Sequence, residues 1–169
     1  LLDLRQQVRF EGQAAMELEF AMEAQETNDS YSFALIPSAS GPEAATAKHQ
    51  PSTTQQSAIR NPQSAILLDW SPVLTSLLAD LECGLAAGQV SARFHNGLAE
   101  AIVSVAHRFG QERVLLSGGC FQNRYLTERA VQRLQAEGCR PYWHQRVPPN
   151  DGGIALGQVV AALRRTAPL

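Results

Sequence analysis

The sequence has few cysteines, and their placement argues against both disulfide bonding and cysteine-based zinc binding. Among 169 residues there are three, Cys83, Cys120 and Cys139, and no two of them form a CxxC pair. This odd, scattered set argues against a disulfide framework and against a zinc site made by these residues alone. We therefore expect a reducing setting, such as the cytoplasm.

The sequence also lacks a large net charge of either sign and a long apolar segment. The formal net charge is −2, and lysine and arginine form no basic run. A nucleic-acid partner is therefore not expected, because domains that bind nucleic acids usually present a basic patch. No segment is long and apolar enough to span a membrane, so no membrane partner is predicted either.

The beginning of the chain has no initiator methionine and no signal peptide. A helical pattern is already under way at Leu1, Leu2 and Leu4. A signal peptide would continue into an apolar stretch, and none follows here. We interpret the chain as a piece of a longer protein.

Composition divides the chain into three segments. Hydrophobic residues make up 44% of it, which is enough for one domain with a core. Residues 1–36 are expected to begin a lobe, and residues 65–169 to form its remainder. Residues 37–64 are rich in Ser, Thr, Gln, Ala and Pro, and cannot bury enough surface to offset their ordering entropy. They are predicted to be a flexible insertion, with His49 solvated inside it.

The first half of the chain predicts three helices and two strands. A helix is expected over residues 11–24, with Gly12 at its beginning and an apolar face formed by Ala14, Leu18 and Ala21. Strands are expected over residues 31–36 and 66–70. Ser71 is expected to cap the next helix, and Pro72 suits its first turn. A later helix has an apolar stripe of Leu98, Ile102, Val105 and Phe109, and Gly110 ends it.

The last third predicts an alternation of strand, loop and helix. Strands are expected over residues 113–116 and 140–144. The helix over 123–137 should turn Leu126, Ala130 and Leu134 inward, and the helix over 153–165 should do the same with Leu156, Val160 and Leu163. This alternation is typical of an α/β fold with parallel strands.

Two glycine loops follow the two strands of this unit. They are Ser117-Gly118-Gly119 and Asn150-Asp151-Gly152-Gly153. Parallel strands place both loops at the carboxyl edge of the sheet, where ligands bind in open α/β folds. Each loop also leads into a helix N-terminus, which favours anions, and glycine lets a phosphate approach the backbone. Each loop alone is more often a tight turn, with Asp151 as a helix cap, but the pair predicts half of a nucleotide site.

Five other residues have competing interpretations. Cys120 lies in the first loop, but no obvious base lies beside it, so a buried small residue is expected. His95 has alanine four positions on and is expected to be a structural histidine. His144 lies near the proposed edge and is the strongest functional candidate among the histidines. Trp70 and Trp143 are expected in the core.

Four sequence blocks resemble one family, in that family's order. They are FEGQAAMELE at residues 10–19, RFHN at 93–96, LSGGCFQN at 116–123 and VPPNDGGIALGQ at 147–158. Together they are similar to HypF, the carbamoyltransferase of [NiFe]-hydrogenase maturation. The resemblance extends over the chain apart from residues 37–64.

This resemblance implies a fold and a reaction. The chain would be the C-terminal part of the HypF domain related to TsaD, one lobe of the actin-like ATPase fold of sugar kinases and heat-shock ATPases. The family makes a carbamoyl adenylate from carbamoyl phosphate and ATP. It then passes the carbamoyl group to the C-terminal cysteine of its partner HypE, where it becomes the precursor of a cyanide ligand. Upstream domains of the same protein would be required.

The resemblance also implies site residues, though no catalytic residue. Gly12 and Glu17 would lie along the nucleotide's sugar, and Asp151 would bind a divalent metal, whether zinc, iron or magnesium. The loop against the adenosine and phosphates would comprise Ser117, Gly118, Gly119 and Asn123. The family's metal-binding histidine pair falls upstream of Leu1, so this chain alone is expected to be inactive.

Two alternatives remain open at this point. One is a TsaD-like threonylcarbamoyl transferase or a related ATPase, for which a basic surface toward tRNA would be expected. The other is a non-catalytic lobe that only supports docking of a partner protein. The residues upstream of Leu1 would discriminate among these possibilities.

Overall fold

The structure, a computed structural model, describes residues 1–22, 27–37 and 66–166. In order, these form α1 (Gln13–Phe20), β1 (Ala34–Pro37), β2 (Ile66–Asp69), α2 (Ser71–Glu82), α3 (Ala87–Phe109), β3 (Arg113–Leu116), α4 (Arg124–Ala136), β4 (Arg140–Trp143) and α5 (Ile154–Thr166). Short 3₁₀ turns at Gly119–Gln122 and Asp151–Gly153 precede α4 and α5. No helix in these ranges combines the length and apolar character needed to cross a membrane.

The strands form two small sheets of different kinds. β1 and β2 pair antiparallel, with Ala34 opposite Asp69. β3 and β4 pair parallel, with Arg113 opposite Arg140 and Leu116 opposite Trp143. The predicted α/β class and the predicted parallel pair are confirmed. The insertion predicted over residues 37–64 lies outside the described ranges, apart from Pro37, which ends β1.

The main core lies where α4 packs on α3 and on the parallel sheet. Its buried side chains are Ala99, Val103, Ala106, Leu116, Leu126, Ala130, Val131 and Leu134. The inward face predicted for α4 is confirmed. The face predicted for α3 is displaced by about one residue, because small side chains face α4, whereas Ile102 is half-buried and Phe109 is exposed.

A second core joins α2 to the other half of α3. Tyr31, Val73 and Val90 are its buried residues. The Tyr31 hydroxyl donates to Asp80 at 2.7 Å, and Arg93 forms an ion pair with the same carboxylate at 2.7 Å. This polar group ties the segment before β1 to α2 and α3.

The beginnings of α1 and α2 differ from the sequence prediction. α1 is shorter than residues 11–24, and its buried residue is Gln13, whereas Ala14 is exposed. Gly12 does begin it, with a positive φ of 83°. Ser71 is not the cap of α2, because Asp69 Oδ1 accepts both the Ser71 amide, at 2.9 Å, and the Ser71 hydroxyl, at 2.6 Å.

The face predicted for α5 is wrong. Leu156, Val160 and Leu163 are exposed by 50%, 42% and 63%. The periodicity that predicted this face is present, but the described elements do not cover it. Trp70 is also exposed, contrary to prediction, whereas Trp143 packs against the main core as expected.

Candidate functional site

The two glycine loops meet at the carboxyl ends of β3 and β4. The Gly118 amide donates to the Pro149 carbonyl at 3.0 Å. Beside this bond, Ser117 Oγ and His144 Nε2 are hydrogen-bonded at 2.9 Å. The prediction that the two loops share one sheet edge is therefore confirmed, and His144 lies at that edge.

A cleft of about 620 Å³ opens beside these loops, which is a volume typical of small-molecule sites. It brings together Gly12 before α1, Gly119 in the first loop and Asp151 in the second. The full lining is Glu11, Gly12, Ala15, Gly119, Cys120, Gln122, Asn150, Asp151 and Gly152. Three predicted site residues from distant parts of the chain thus share one cavity.

Asn150, and not Asp151, is the N-cap of the 3₁₀ turn in the second loop. Asn150 Oδ1 accepts the Gly152 amide at 3.1 Å, and its carbonyl accepts the Gly153 amide at 2.9 Å. Asp151 is exposed at the cleft, and its carboxylate makes no hydrogen bond or ion pair within the described ranges. Asp151 is therefore free to face a ligand or a cation.

The donor set for a metal is incomplete in this part of the protein. Residues 1–22, 27–37 and 66–166 contain no cluster of three or more His, Cys, Asp or Glu side chains able to hold a metal ion. A divalent metal needs several ligands, of which Asp151 fits as one because an ionised carboxylate is an acceptor only. The predicted metal role of Asp151 thus requires further ligands from elsewhere.

Asn123 caps α4, and its side chain is also hydrogen-bonded to His95. Asn123 Oδ1 accepts the Leu126 amide at 2.7 Å, while its Nδ2 lies 2.9 Å from His95 Nε2. His95 Nδ1 lies 2.8 Å from the Ser91 carbonyl, which can only accept, so Nδ1 bears the proton and Nε2 accepts from Asn123. The prediction of a structural histidine at position 95 is confirmed.

Burial lowers the pKa of His95, partly offset by the Ser91 carbonyl and the negative charge of Glu19. The hydrogen bonds favour the same neutral ring. A doubly protonated imidazole would turn an N–H toward the amide nitrogen of Asn123, whose oxygen is already engaged by α4. The Asn123 side chain is therefore occupied on both sides, although it lines a neighbouring cleft of about 440 Å³.

Glu19 is a residue of this region that the sequence did not identify. Glu19 Oε1 accepts the amides of Arg124 and Tyr125, at 2.8 and 3.1 Å. Together with Asn123, it satisfies the free amides of the first turn of α4. A carboxylate of the protein itself therefore occupies the first turn of α4. Anion binding at the first glycine loop stays a prediction.

Glu17 lies outside both clefts. Its carboxylate is paired with Arg5 and accepts from Gln13 Nε2 at 3.1 Å. The hydrogen bonds from Arg5 lower the pKa of Glu17, so it is ionised at neutral pH. Its role at a ribose stays a prediction, and contact with a ligand in either cleft would require it to leave Arg5.

Cys120 is exposed and lines the cleft, so the expected burial is wrong. It belongs to the 3₁₀ turn at Gly119–Gln122, in which no residue is buried. No base is hydrogen-bonded to its thiol within the described ranges.

These features define a class of protein domain. A parallel strand pair, two loops tied at its carboxyl edge and a cleft beside them are the arrangement in which α/β domains bind small ligands. Comparison with known proteins narrows this class. The family model described as "Carbamoyltransferase, Kae1-like Domain, second subdomain" matches residues 1–158.

Known sequences agree with this match. Carbamoyltransferase HypF of Synechocystis sp. is 30% identical over 164 residues, covering 97% of this chain and 18% of that protein. HypF2 of Cupriavidus necator is 39% identical over 98 residues, covering 58% of this chain and 12% of that protein. The chain thus spans less than a fifth of the length of these relatives.

Solved structures agree as well. The crystal structure of full-length HypF in the phosphate- and nucleotide-bound form superposes with a TM-score of 0.75 at 32% identity, covering 99% of this chain and 19% of that one. HypF of T. kodakarensis, at 20% identity and a TM-score of 0.64, supports the fold alone. The chain belongs to the HypF carbamoyltransferase family, as the second subdomain of its Kae1-like domain.

Proposed function

We propose that this chain forms one wall of the nucleotide site of a HypF-type carbamoyltransferase. The reaction would use carbamoyl phosphate and ATP to carbamoylate the C-terminal cysteine of a HypE-type acceptor in the cytoplasm. The observation that supports this most is the convergence of Gly12, Gly119 and Asp151 on one cleft. The similar full-length HypF whose structure is described as phosphate- and nucleotide-bound supports the same assignment.

The chemistry of the lining suits a nucleotide and its phosphates. Gly119 and Gly152 present backbone without side chains, so a phosphate can approach closely. Asp151 would supply one ligand to a divalent cation, and that cation would offset the phosphate charge when bound. The remaining ligands and the carbamoyl-binding groups would come from upstream domains of the same protein. In that longer protein, this chain would form one lobe of an actin-like ATPase fold.

Replacement of Asp151 tests the metal assignment. The assay is ATP-dependent carbamoyl transfer to a peptide with the HypE C-terminus, catalysed by the longer protein that contains this chain. Asp151→Ala should reduce the transfer rate by about 100-fold or more, since stabilisation of developing charge by a metal is worth several kcal/mol. Asp151→Asn should behave similarly, because an amide is a weaker cation ligand.

Glu112→Gln provides the control for this test. Glu112 forms an exposed ion pair with Arg140 at the opposite end of the β3–β4 sheet, so its replacement should leave transfer unchanged. Near-normal transfer by Asp151→Ala would exclude the metal role. The 169-residue chain by itself should not turn over, and activity of the isolated chain would contradict the proposal that it is one wall of a shared site.

The gene sequence upstream of Leu1 separates this proposal from its rivals. A histidine pair preceded by HypF-like zinc-finger and adenylate-forming regions would support it. Their absence would favour a TsaD-like transferase or a non-catalytic lobe.

A further inference from the structure

The side chain of Glu19 ties α1 to α4 by hydrogen bonds to its carboxylate. Glu19 lies near the end of α1 and lines the smaller cleft together with Gly12 and Gly119. Its Oε1 accepts two consecutive amides, those of Arg124 and Tyr125, at the start of α4. This single oxygen therefore joins helices that are more than a hundred residues apart in sequence.

The geometry makes this tie sensitive to the spacing of the two helices. Both amides converge on one oxygen at distances of 2.8 and 3.1 Å, and hydrogen bonds weaken quickly beyond this range. The bonds are charge-assisted and lie at the positive end of the α4 dipole, which adds to their strength. A shift of α1 along or away from α4 would therefore lose two strong hydrogen bonds together.

Other contacts of α1 hold it to different elements. The Ser91 hydroxyl donates to the Leu18 carbonyl, which fastens α1 to α3. Glu17 pairs with Arg5 in the segment that precedes α1. Glu19 instead binds α4, the helix that follows the first glycine loop, and it lines the smaller cleft together with Arg124.

We propose that Glu19 is a positioning residue that sets the width of the nucleotide cleft. By holding α1 against α4, it fixes Gly12 relative to Gly119 and so prepares the cleft before the nucleotide arrives. This inference rests on the proposed function and adds a residue to it. Loss of the tie should weaken nucleotide binding, because the cleft must then be ordered at the cost of binding free energy.

The test compares three variants of the longer protein that contains this chain. Glu19→Ala removes the acceptor, Glu19→Asp withdraws it by one methylene, and Glu19→Gln keeps an acceptor oxygen without charge. Titration with a non-hydrolysable ATP analogue and Mg²⁺ gives the dissociation constant, and the transfer assay gives KM for ATP and kcat. Glu19→Ala and Glu19→Asp should raise both Kd and KM about tenfold, or about 1.4 kcal/mol.

The value of kcat should change by less than about twofold, because Glu19 lies outside the cleft shared by Gly12, Gly119 and Asp151 and orders its walls before the chemical step. Glu19→Gln should restore most of the binding. Glu128→Gln is the control, since Glu128 forms an exposed ion pair with Arg124 on the same helix. It should leave Kd unchanged.

Each outcome decides for or against the role of Glu19. Lowered thermal stability with unchanged Kd in folded Glu19→Ala and Glu19→Asp would make Glu19 only a helix cap and overturn the proposal. If Glu19→Ala does not fold, Glu19→Asp and Glu19→Gln still give the comparison. A wild-type protein that binds nucleotide but transfers no carbamoyl group would refute the proposed function, while the Kd series would still test Glu19.

Discussion

At the scale of single residues, an asparagine caps a helical turn at each of the two loops. Asn123 and Asn150 each accept an amide of the following turn through Oδ1, at 2.7 and 3.1 Å. Asparagine is among the best capping residues, so this use of both is physically ordinary. Its consequence is that Asp151 is not needed as a cap. Because Asn150 supplies the cap, the Asp151 carboxylate remains available for the proposed metal.

Gly153 should be intolerant of any side chain. A Cβ added there would lie 2.7 Å from the Pro148 carbonyl oxygen and 3.3 Å from Val147 Cγ1. Gly153→Ala should therefore displace the second loop and lower the free energy of unfolding by about 1–3 kcal/mol. Denaturant unfolding of the 169-residue chain measures this change.

Gly157→Ala is the matched control for Gly153. Gly157 lies within α5, and a Cβ there meets nothing within 4 Å. Because alanine favours the helix, Gly157→Ala should raise stability by up to about 1 kcal/mol. Equal effects of the two substitutions would show that the second loop does not have the backbone geometry described.

His95 should make stability depend on pH. Burial lowers its folded-state pKa below the ordinary value of about 6.5. Above pH 6.5 the ring is neutral in both states, and its stabilising contacts are fully present. As pH falls below about 6.5, the unfolded state binds the proton first, so stability is lost until the folded pKa is passed.

The measurement is the free energy of unfolding from pH 8 to pH 5, for wild type and His95→Gln. The difference between the two curves should shrink toward acid pH. An NMR titration of the His95 ring should give a pKa below 6.5. A midpoint above 6.5 would contradict the neutral ring and its hydrogen bond to Asn123.

At the scale of elements, α4 and α5 show similar apolar periodicity but different burial. Leu134 on α4 is fully buried against α3, whereas Leu156 on α5 is 50% exposed. Sequence periodicity indicates which side of a helix is apolar, but not whether another element covers that side. The face of α4 was therefore predictable, and the exposure of α5 was not.

Leu134→Ala should be strongly destabilising. The removed atoms leave a cavity between α3 and α4, so we expect a loss of about 3–5 kcal/mol in the free energy of unfolding. Leu156→Ala makes the same chemical change on α5 and should stay within about 0.5 kcal/mol. Similar losses at the two positions would mean that α5 is packed as tightly as α4.

The α3 face shows a finer limit of sequence reasoning. The large residues Leu98 and Ile102 predicted the buried stripe, yet Ala99, Val103 and Ala106 are the residues that meet α4. Small side chains allow close packing of two helices, and hydrophobicity alone ranks them below leucine and isoleucine. The stripe position was thus predicted to within about one residue.

At the scale of the whole molecule, the cleft unites segments that local patterns cannot connect. Gly12 belongs to the first block of the chain and Asp151 to the last, and both line the same cavity. The family motifs predicted which residues to consider. They did not predict that Glu17 would face Arg5, or that Glu19 would cap α4.

The sequence by itself determined the α/β class, the parallel strand pair, the two glycine loops and the family. These features depend on local periodicity, glycine placement and motif order, which are written along the chain. The tertiary structure decided which carboxylate caps α4, which stays free at the cleft and which helix face is covered. Those outcomes depend on how elements far apart in sequence are placed in space. A polar group bonds only to a partner within about 3 Å, and the sequence alone does not give that distance.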